Sequence, residues 1–91
     1  MVSKAQLRIL AWLNKHPESL ETSWDVTREI SLPGIAEGLG VVRSALNLPL
    51  SKLERSELIF KRMAHVVGGG SRRRQIYHIT PKGRLHLEEN D

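Results

Sequence analysis

The sequence predicts an α+β, mostly helical fold: a three-helix core, a short strand plus a β-hairpin, and a short C-terminal helix. Three observations predict it. Segments before residue 57 have the apolar spacing or the capping residues of helices, two β-prone runs follow on either side of a glycine-rich segment, and a Thr-Pro pair opens a final helix. Ninety-one residues leave room for one core, so residues 1–91 are interpreted as a single domain.

The segment SKAQLRILAWLNKHP is predicted to form the first helix, because Ser3 is a suitable N-cap and Pro17 a suitable stop. Leu7 and Trp12 lie at opposite edges of its apolar side, which is therefore wider than one packing surface requires. This width has two interpretations: contact with a partner subunit in a homodimer, or packing within the same small domain. The apolar side consists of Val2, Ala5, Ile9, Leu10 and Leu13.

A short extended segment is predicted over WDVTREI, residues 24–30, and a short helix follows in SLPGIAEGLG. Ser31 is a suitable N-cap, Pro33 belongs in a first helical turn, and Gly40 is suited to end the helix in a left-handed conformation. The inward side of this helix would consist of Ile35, Ala36 and Leu39.

The next helix is predicted over about residues 42–56. Pro49 disturbs it, because proline has no N–H for a helical hydrogen bond and pushes Leu48 away from helical geometry. Either the helix kinks at Pro49, which is the preferred interpretation, or it starts later, with Asn47 as its N-cap and Pro49 in its first turn. The buried side of this helix would consist of Leu46, Leu50 and Leu53.

LIFKRMAHVV and RQIYHIT are rich in β-branched and aromatic residues and predict the two strands of a hairpin. Glycines 68–70 lie between them and permit backbone geometries that other residues avoid, so the hairpin tip is able to conform to a partner. His65 and His78 could face each other across the hairpin, but the four histidines are too scattered to predict a metal site. Thr80 is a suitable N-cap for the last helix, and Pro81 suits its first position.

Positive charge is concentrated in the later part of the chain. Residues 43–84 carry ten Lys or Arg against two Glu, a net charge of +8, whereas residues 1–42 carry −1 and the tail after Arg84 carries −3. This distribution is typical of a surface that binds a polyanion; the alternative is a basic face that only aids solubility. Cysteine is absent, which excludes disulfides and thiolate metal sites within this sequence.

Two stretches together resemble a known family. LPGIAEGLGVVRSALNLPLSKLERSELIFKR resembles the helix-turn-helix of winged-helix transcriptional regulators, and YHITPKGR resembles the end of the wing and the corner that follows it in the MarR-like branch. The resemblance covers roughly residues 25–85. It implies a winged helix-turn-helix fold and a DNA-binding transcription regulator, with the second helix of the pair in the major groove of double-stranded DNA and the wing at a flanking minor groove.

The side chains support this interpretation chemically. Arg43 is suited to pair with guanine or to hold a phosphate, and Asn47 to pair with adenine. The arginines of the wing (68–74) can enter a narrow minor groove or neutralise phosphates beside it; because strand side chains alternate, we expect two of them at the duplex and one outside. The candidate DNA-binding residues are Arg43, Ser44, Asn47, Ser51, Lys52, Arg55, Arg72, Arg73 and Arg74.

Other functions find little support in the residues. No Ser, His and acid are spaced for nucleophilic catalysis, and the glycine-rich segment lacks the strand-to-helix context of a nucleotide-binding loop, so we expect neither an enzyme nor a cofactor or metal. No signal peptide or transmembrane run is recognised, which makes a cytoplasmic location the expectation. The expected assembly is a homodimer through Leu7 and Trp12 of the first helix. The alternative function is a winged-helix protein-protein interaction module of a larger assembly.

Overall fold

A computed structural model describes residues 2–15, 25–26, 28–66 and 73–89 of the chain. This part of the protein is mostly helical and includes a β-hairpin, so the predicted α+β fold class is confirmed. In chain order it forms α1 (Lys4–Asn14), β1 (Asp25–Val26), a 3-10 helix (Arg28–Ile30), α2 (Leu32–Leu39), a second 3-10 helix (Arg43–Leu46), α3 (Asn47–Arg55), β2 (Ile59–Val66), β3 (Arg73–Ile79) and α4 (Pro81–Glu89).

The predicted N-caps of the first two helices are confirmed. The Ser3 hydroxyl accepts the backbone N–H of Gln6, whose side chain accepts the Ser3 N–H in return, so two free amides of α1 are satisfied together. The Ser31 hydroxyl accepts the Gly34 N–H at 3.3 Å at the start of α2. Gly40 ends α2 with a left-handed φ of 68°, as predicted. Pro17, the predicted stop of α1, lies outside the described residues.

The predicted extended segment is correct only in part. Asp25–Val26 forms a strand, but Arg28–Ile30 forms a 3-10 helix. The reason is the bonding of Ser31, whose N–H and hydroxyl both donate to the Arg28 carbonyl, at 3.0 and 2.6 Å. These two bonds close a turn directly before α2, so the chain cannot continue as a strand.

The preferred interpretation of Pro49, a kink within a long helix, is wrong. Residues 43–46 form a 3-10 helix, and the α-helix begins at Asn47. Pro49 is therefore the third residue of α3, where a backbone N–H has no acceptor within the helix and its absence costs little. The later start is the correct alternative, but Asn47 is not its N-cap: Leu46 holds that position, without a side-chain hydrogen bond.

The hairpin pairs β2 with β3 in antiparallel register, and β1 lies parallel to β2 on its other edge. The register places His65 opposite Arg73 and His78 opposite Phe60. The prediction that His65 and His78 face each other is therefore wrong, because the two histidines lie near opposite ends of the ladder.

One apolar core joins the helices to the hairpin. Most of the predicted inward residues of α1 and α2 belong to it: Ile9, Leu10, Leu13, Ile35 and Ala36 are buried, and Val2 and Leu39 pack against them while partly exposed. Ala5, predicted on the same apolar side of α1, is exposed instead. The remaining buried apolar residues are Ile30, Leu46, Leu50, Leu53, Leu58, Ile59, Ala64, Val66, Ile76, Tyr77 and Ile79.

Trp12 connects α1 to α2 and to the 3-10 helix before it. Its indole Nε1–H donates to the Glu29 carbonyl at 2.7 Å. Its ring lies so close to Gly38 that a Cβ there would be 2.7 Å from Cζ3 and closer still to two other ring atoms. For Trp12, the structure thus supports the second interpretation of the wide apolar side, packing within the same domain.

Thr80 confirms its predicted role as the N-cap of α4 and also fixes that helix to the end of α3. Its Oγ1 accepts the Gly83 N–H at 3.0 Å and donates to the Glu57 carbonyl at 2.7 Å. Its backbone N–H donates to the Leu58 carbonyl at 3.0 Å. Glu57 itself has a left-handed φ of 61°, which turns the chain from α3 into β2.

Candidate nucleic-acid interface

The recognition segment, residues 43–55, has two opposite sides. The predicted leucine stripe is confirmed, since Leu46, Leu50 and Leu53 are all buried. Asn47, Ser51 and Arg55 recur every four residues and therefore follow one line along the opposite side of α3. The structure brings six predicted residues to this outward side, which we call the recognition face: Arg43, Ser44, Asn47, Ser51, Lys52 and Arg55.

The C-terminal end of the recognition face continues into a cationic groove. The Arg55 Nη2 donates to the Ser51 hydroxyl at 3.4 Å, which directs the guanidinium back along α3. Beside it, an open groove of about 700 Å³ lies between α1, α3 and α4, and Lys52, Arg55, Lys82 and His86 contribute to its walls. Lys82 and His86 are absent from the sequence-based site, because they belong to a different helix.

Two acidic residues in or near the recognition segment, Glu54 and Glu37, are paired with cations. Glu54 lies 3.5 Å from the Lys61 ammonium. Both carboxylate oxygens of Glu37 accept hydrogen bonds from Arg28, and this pairing lowers the pKa of Glu37. The charge of Arg43 lowers the same pKa further, so Glu37 also lies within electrostatic reach of the recognition segment.

The described part of the wing places two of its arginines on opposite sides of the sheet. Arg73 pairs with His65 and Arg74 with Ala64, and both arginine side chains are exposed. Neighbouring strand residues alternate in direction, so these two cannot approach a duplex from the same side of the sheet. Arg72 and glycines 68–70 lie outside the described residues, and the expectation that two of the three arginines reach DNA stays a prediction.

A neutral histidine supports the base of the wing. Burial, and secondly the positive charge of Arg62, lower the pKa of His78 to about 4. Its ring is therefore uncharged near pH 7, so its Nε2 can accept the Nε–H of Arg62 at 3.2 Å, while Phe60 stacks on it with ring centroids 5.0 Å apart. This packing gives His78 a structural role. Among the described residues, no three His, Asp or Glu lie close enough to hold a metal ion.

Two apolar residues beside the recognition face were missed by the sequence analysis. Val42 is 69% exposed and Leu48 is 60% exposed. The sequence did indicate that both are exposed, because neither falls in the buried stripe of leucines at 46, 50 and 53. Leu48 was considered only for its backbone, as the residue before Pro49.

The arrangement of these elements is a winged helix-turn-helix: α2 and the recognition segment form the helix pair, Gly40 lies in the turn between them, and β2 and β3 form the wing. Solved structures share the arrangement. A mutant of MepR from S. aureus matches with a TM-score of 0.73 and 20% identity, over 97% of this chain and 54% of that one. A MarR family transcription regulator matches with a TM-score of 0.71 and 22% identity, over 96% and 48%.

The complex of S. aureus MepR with DNA is also similar, with a TM-score of 0.70 and 21% identity, over 96% of this chain and 54% of that one. The predicted MarR-like winged helix fold is therefore confirmed, and the chain spans about half the length of the solved proteins it matches. No protein-family model and no curated protein matches the chain. Within the described residues, no helix has the length and apolar character needed to cross a membrane.

Proposed function

We propose that the protein is a DNA-binding transcription regulator rather than an enzyme, and that the recognition segment enters the major groove. The observation that carries the proposal is the recognition face, where Arg43, Lys52 and Arg55 are exposed opposite a fully buried leucine stripe. A helix fits the major groove, and exposed Arg, Lys, Asn and Ser are the side chains that contact phosphates and base edges there. The fold is shared with MepR, whose complex with DNA has been solved.

The wing is proposed as the second contact. Residues 68–74 would follow the duplex backbone beside the recognition helix, with arginines at the minor groove or at phosphates. The net charge of +8 over residues 43–84 includes both elements, which favours a polyanionic partner for the two together.

A salt titration tests the proposal. Binding to an arbitrary labelled duplex should weaken steeply with salt, since each neutralised phosphate contributes about −0.9 to the slope of log affinity against log salt. Replacing Lys52 and Arg55 together by Ala should reduce that slope by about two units. Lys15→Ala, which removes an exposed charge from the end of α1, is the matched control and should leave the slope unchanged.

The wing is tested in the same titration. Replacing Arg72, Arg73 and Arg74 together by Ala should reduce the magnitude of the slope by about two units, because two of the three arginines are expected at the duplex, and should barely change the Tm. An unchanged slope would mean that the wing makes no phosphate contacts. Binding that ignores salt, or no binding even in dilute buffer, would contradict the proposal as a whole.

A homodimer on a two-fold related operator is part of the proposal, because two recognition helices would then engage half-sites about one helical turn apart. Leu7 of α1 is half-buried, and Trp12 uses its indole N–H within the chain. We propose the interface on the Leu7 side of α1, because the Trp12 ring is engaged with α2 and Glu29 of the same chain. Sedimentation of Leu7→Glu against the unchanged protein tests this, and equal molar masses would exclude it. A cytoplasmic location accompanies this function.

The second candidate is a protein-protein interaction module. The exposure of Val42 and Leu48 favours it, because exposed apolar side chains commonly contact protein partners. The salt titration distinguishes the two candidate functions, because a protein-protein interaction module should show no salt-dependent affinity for duplex DNA.

A further inference from the structure

We infer that Val42, Ala45 and Leu48 form an apolar strip that contacts thymine methyl groups in the major groove. The inference rests on the proposed function and deepens it, because it assigns part of the sequence preference to residues that make no hydrogen bonds. It also accounts for apolar side chains that are exposed beside the basic recognition face.

The three residues are spaced by three along the chain. Val42 precedes the 3-10 helix, Ala45 lies within it, and Leu48 lies in the first turn of α3. Residues three apart eclipse each other in a 3-10 helix and share a side in an α-helix, so the spacing places Ala45 and Leu48 on neighbouring parts of one side. Val42 has an extended backbone and adjoins Ala45 through the hydrogen bond from the Ala45 N–H to the Val42 carbonyl at 3.1 Å. Ala45 also borders a small cavity against α1 and α2, so it forms the inner edge of the strip. All three are exposed, whereas Leu46 between them is buried.

The residues around the strip indicate which class of partner it contacts. Polar and cationic residues of the recognition face interleave with it: Arg43 and Ser44 lie between Val42 and Ala45, and Asn47 lies beside Leu48. The major-groove edge of an A·T pair has the same mixed character, with a thymine methyl group beside hydrogen-bonding atoms. The strip is narrow and bordered by charge, so we assign it to duplex DNA rather than to an apolar protein surface.

The expected effect is that of burying one methyl group. Burial of a CH₂-sized group stabilises by about 0.8 kcal/mol, and 1.4 kcal/mol corresponds to tenfold in affinity. Removing one contacted thymine methyl should therefore weaken binding about fourfold.

The experiment compares thymine with uracil, which lacks only that methyl group. Duplexes that bind the full chain are first selected from random DNA, and each thymine of a selected duplex is then replaced singly by uracil. The unchanged protein should discriminate about fourfold at one or more positions, and Leu48→Ala should reduce the discrimination toward onefold at one of them. Leu85→Ala removes a leucine that is 57% exposed on α4, and this control should keep the full discrimination.

The possible results test the methyl contacts and the proposed DNA-binding function separately. Equal binding of thymine and uracil duplexes, with the salt dependence intact, overturns the methyl contacts and leaves the proposed function standing. Discrimination that survives Leu48→Ala at every position overturns the role of Leu48. Absence of duplex binding in dilute buffer overturns both proposals. Alanine forms helices at least as well as leucine, so Leu48→Ala is not expected to lose the fold.

Discussion

Gly38→Ala should destabilise the protein because of Trp12, although alanine is the better helix former. An ordinary contact at this Cβ would be 3.4–4 Å, but the new atom would lie 2.7 Å from Cζ3 of Trp12 and closer to Cη2 and Cζ2. The ring must therefore move by more than half an ångström. Its movement is resisted by the 2.7 Å hydrogen bond from Nε1 to the Glu29 carbonyl.

The net effect is a difference between two opposing contributions. Overpacking of this kind costs about 1–3 kcal/mol, and replacing a helical glycine by alanine returns about 1 kcal/mol. We therefore expect a net loss of up to about 2 kcal/mol, which lowers the Tm of a domain of this size by up to roughly 16 °C.

Thermal melts followed by circular dichroism measure the effect, and a second background isolates its cause. Trp12→Leu removes the outer ring atoms, so in that background Gly38→Ala should raise the Tm by roughly 4–8 °C through helix propensity alone. The reversal of sign is the decisive result. An equal loss in both backgrounds would refute the reasoning, as would a higher Tm for Gly38→Ala in the otherwise unchanged protein.

Three further predictions concern the scaffold of the interface. Gly34→Ala should lower the Tm more than Gly38→Ala does, because its Cβ would meet backbone atoms, 2.8 Å from the Glu29 Cα and closer to the Arg28 carbonyl; a Tm equal to that of the unchanged protein would contradict this close approach. Thr80→Ala should cost about 1–2 kcal/mol in urea unfolding and Thr80→Ser far less, whereas equal losses would show that the capping hydroxyl is not the cause. His78 takes up a proton more readily in the unfolded chain, with its ordinary pKa of 6.5, than in the folded protein, where the pKa is about 4. Its stabilising contribution is complete above pH 6.5 and is lost as the pH falls toward 4, so the Tm should drop from pH 7 to pH 5 more steeply than in His78→Asn; parallel pH profiles would contradict this assignment.

The parts of the fold that were predictable depend on short-range chemistry. Ser3, Ser31 and Thr80 each cap a helix because a hydroxyl reaches an amide three residues away, whatever the rest of the chain does. Gly40 takes a left-handed conformation that other residues avoid. The helix side of the candidate site was predictable for a similar reason, since a buried leucine stripe fixes which residues face outward. Contact of that side with DNA stays a prediction.

The features that were not predicted depend on competition between neighbouring elements. The position of Pro49 in a helix could be judged only by knowing where α3 begins, and the preceding 3-10 helix decides that. The strand over residues 24–30 is shortened by bonds from Ser31 that belong to the start of α2. The positions of His65 and His78 depend on hairpin register, which neither strand specifies alone.

The Thr80 hydroxyl has a mechanical consequence for the interface. One side chain grips the first turn of α4 and the carbonyl of Glu57, two residues beyond the end of α3, while Gly83 leaves no room for even a methyl group against the Leu58 carbonyl. The start of α4 and the C-terminal end of α3 are thereby held in a fixed relative position. A tilt applied to α4 would therefore be transmitted to the C-terminal end of α3, which carries Lys52 and Arg55 of the recognition face, so the orientation of α4 sets the orientation of that face.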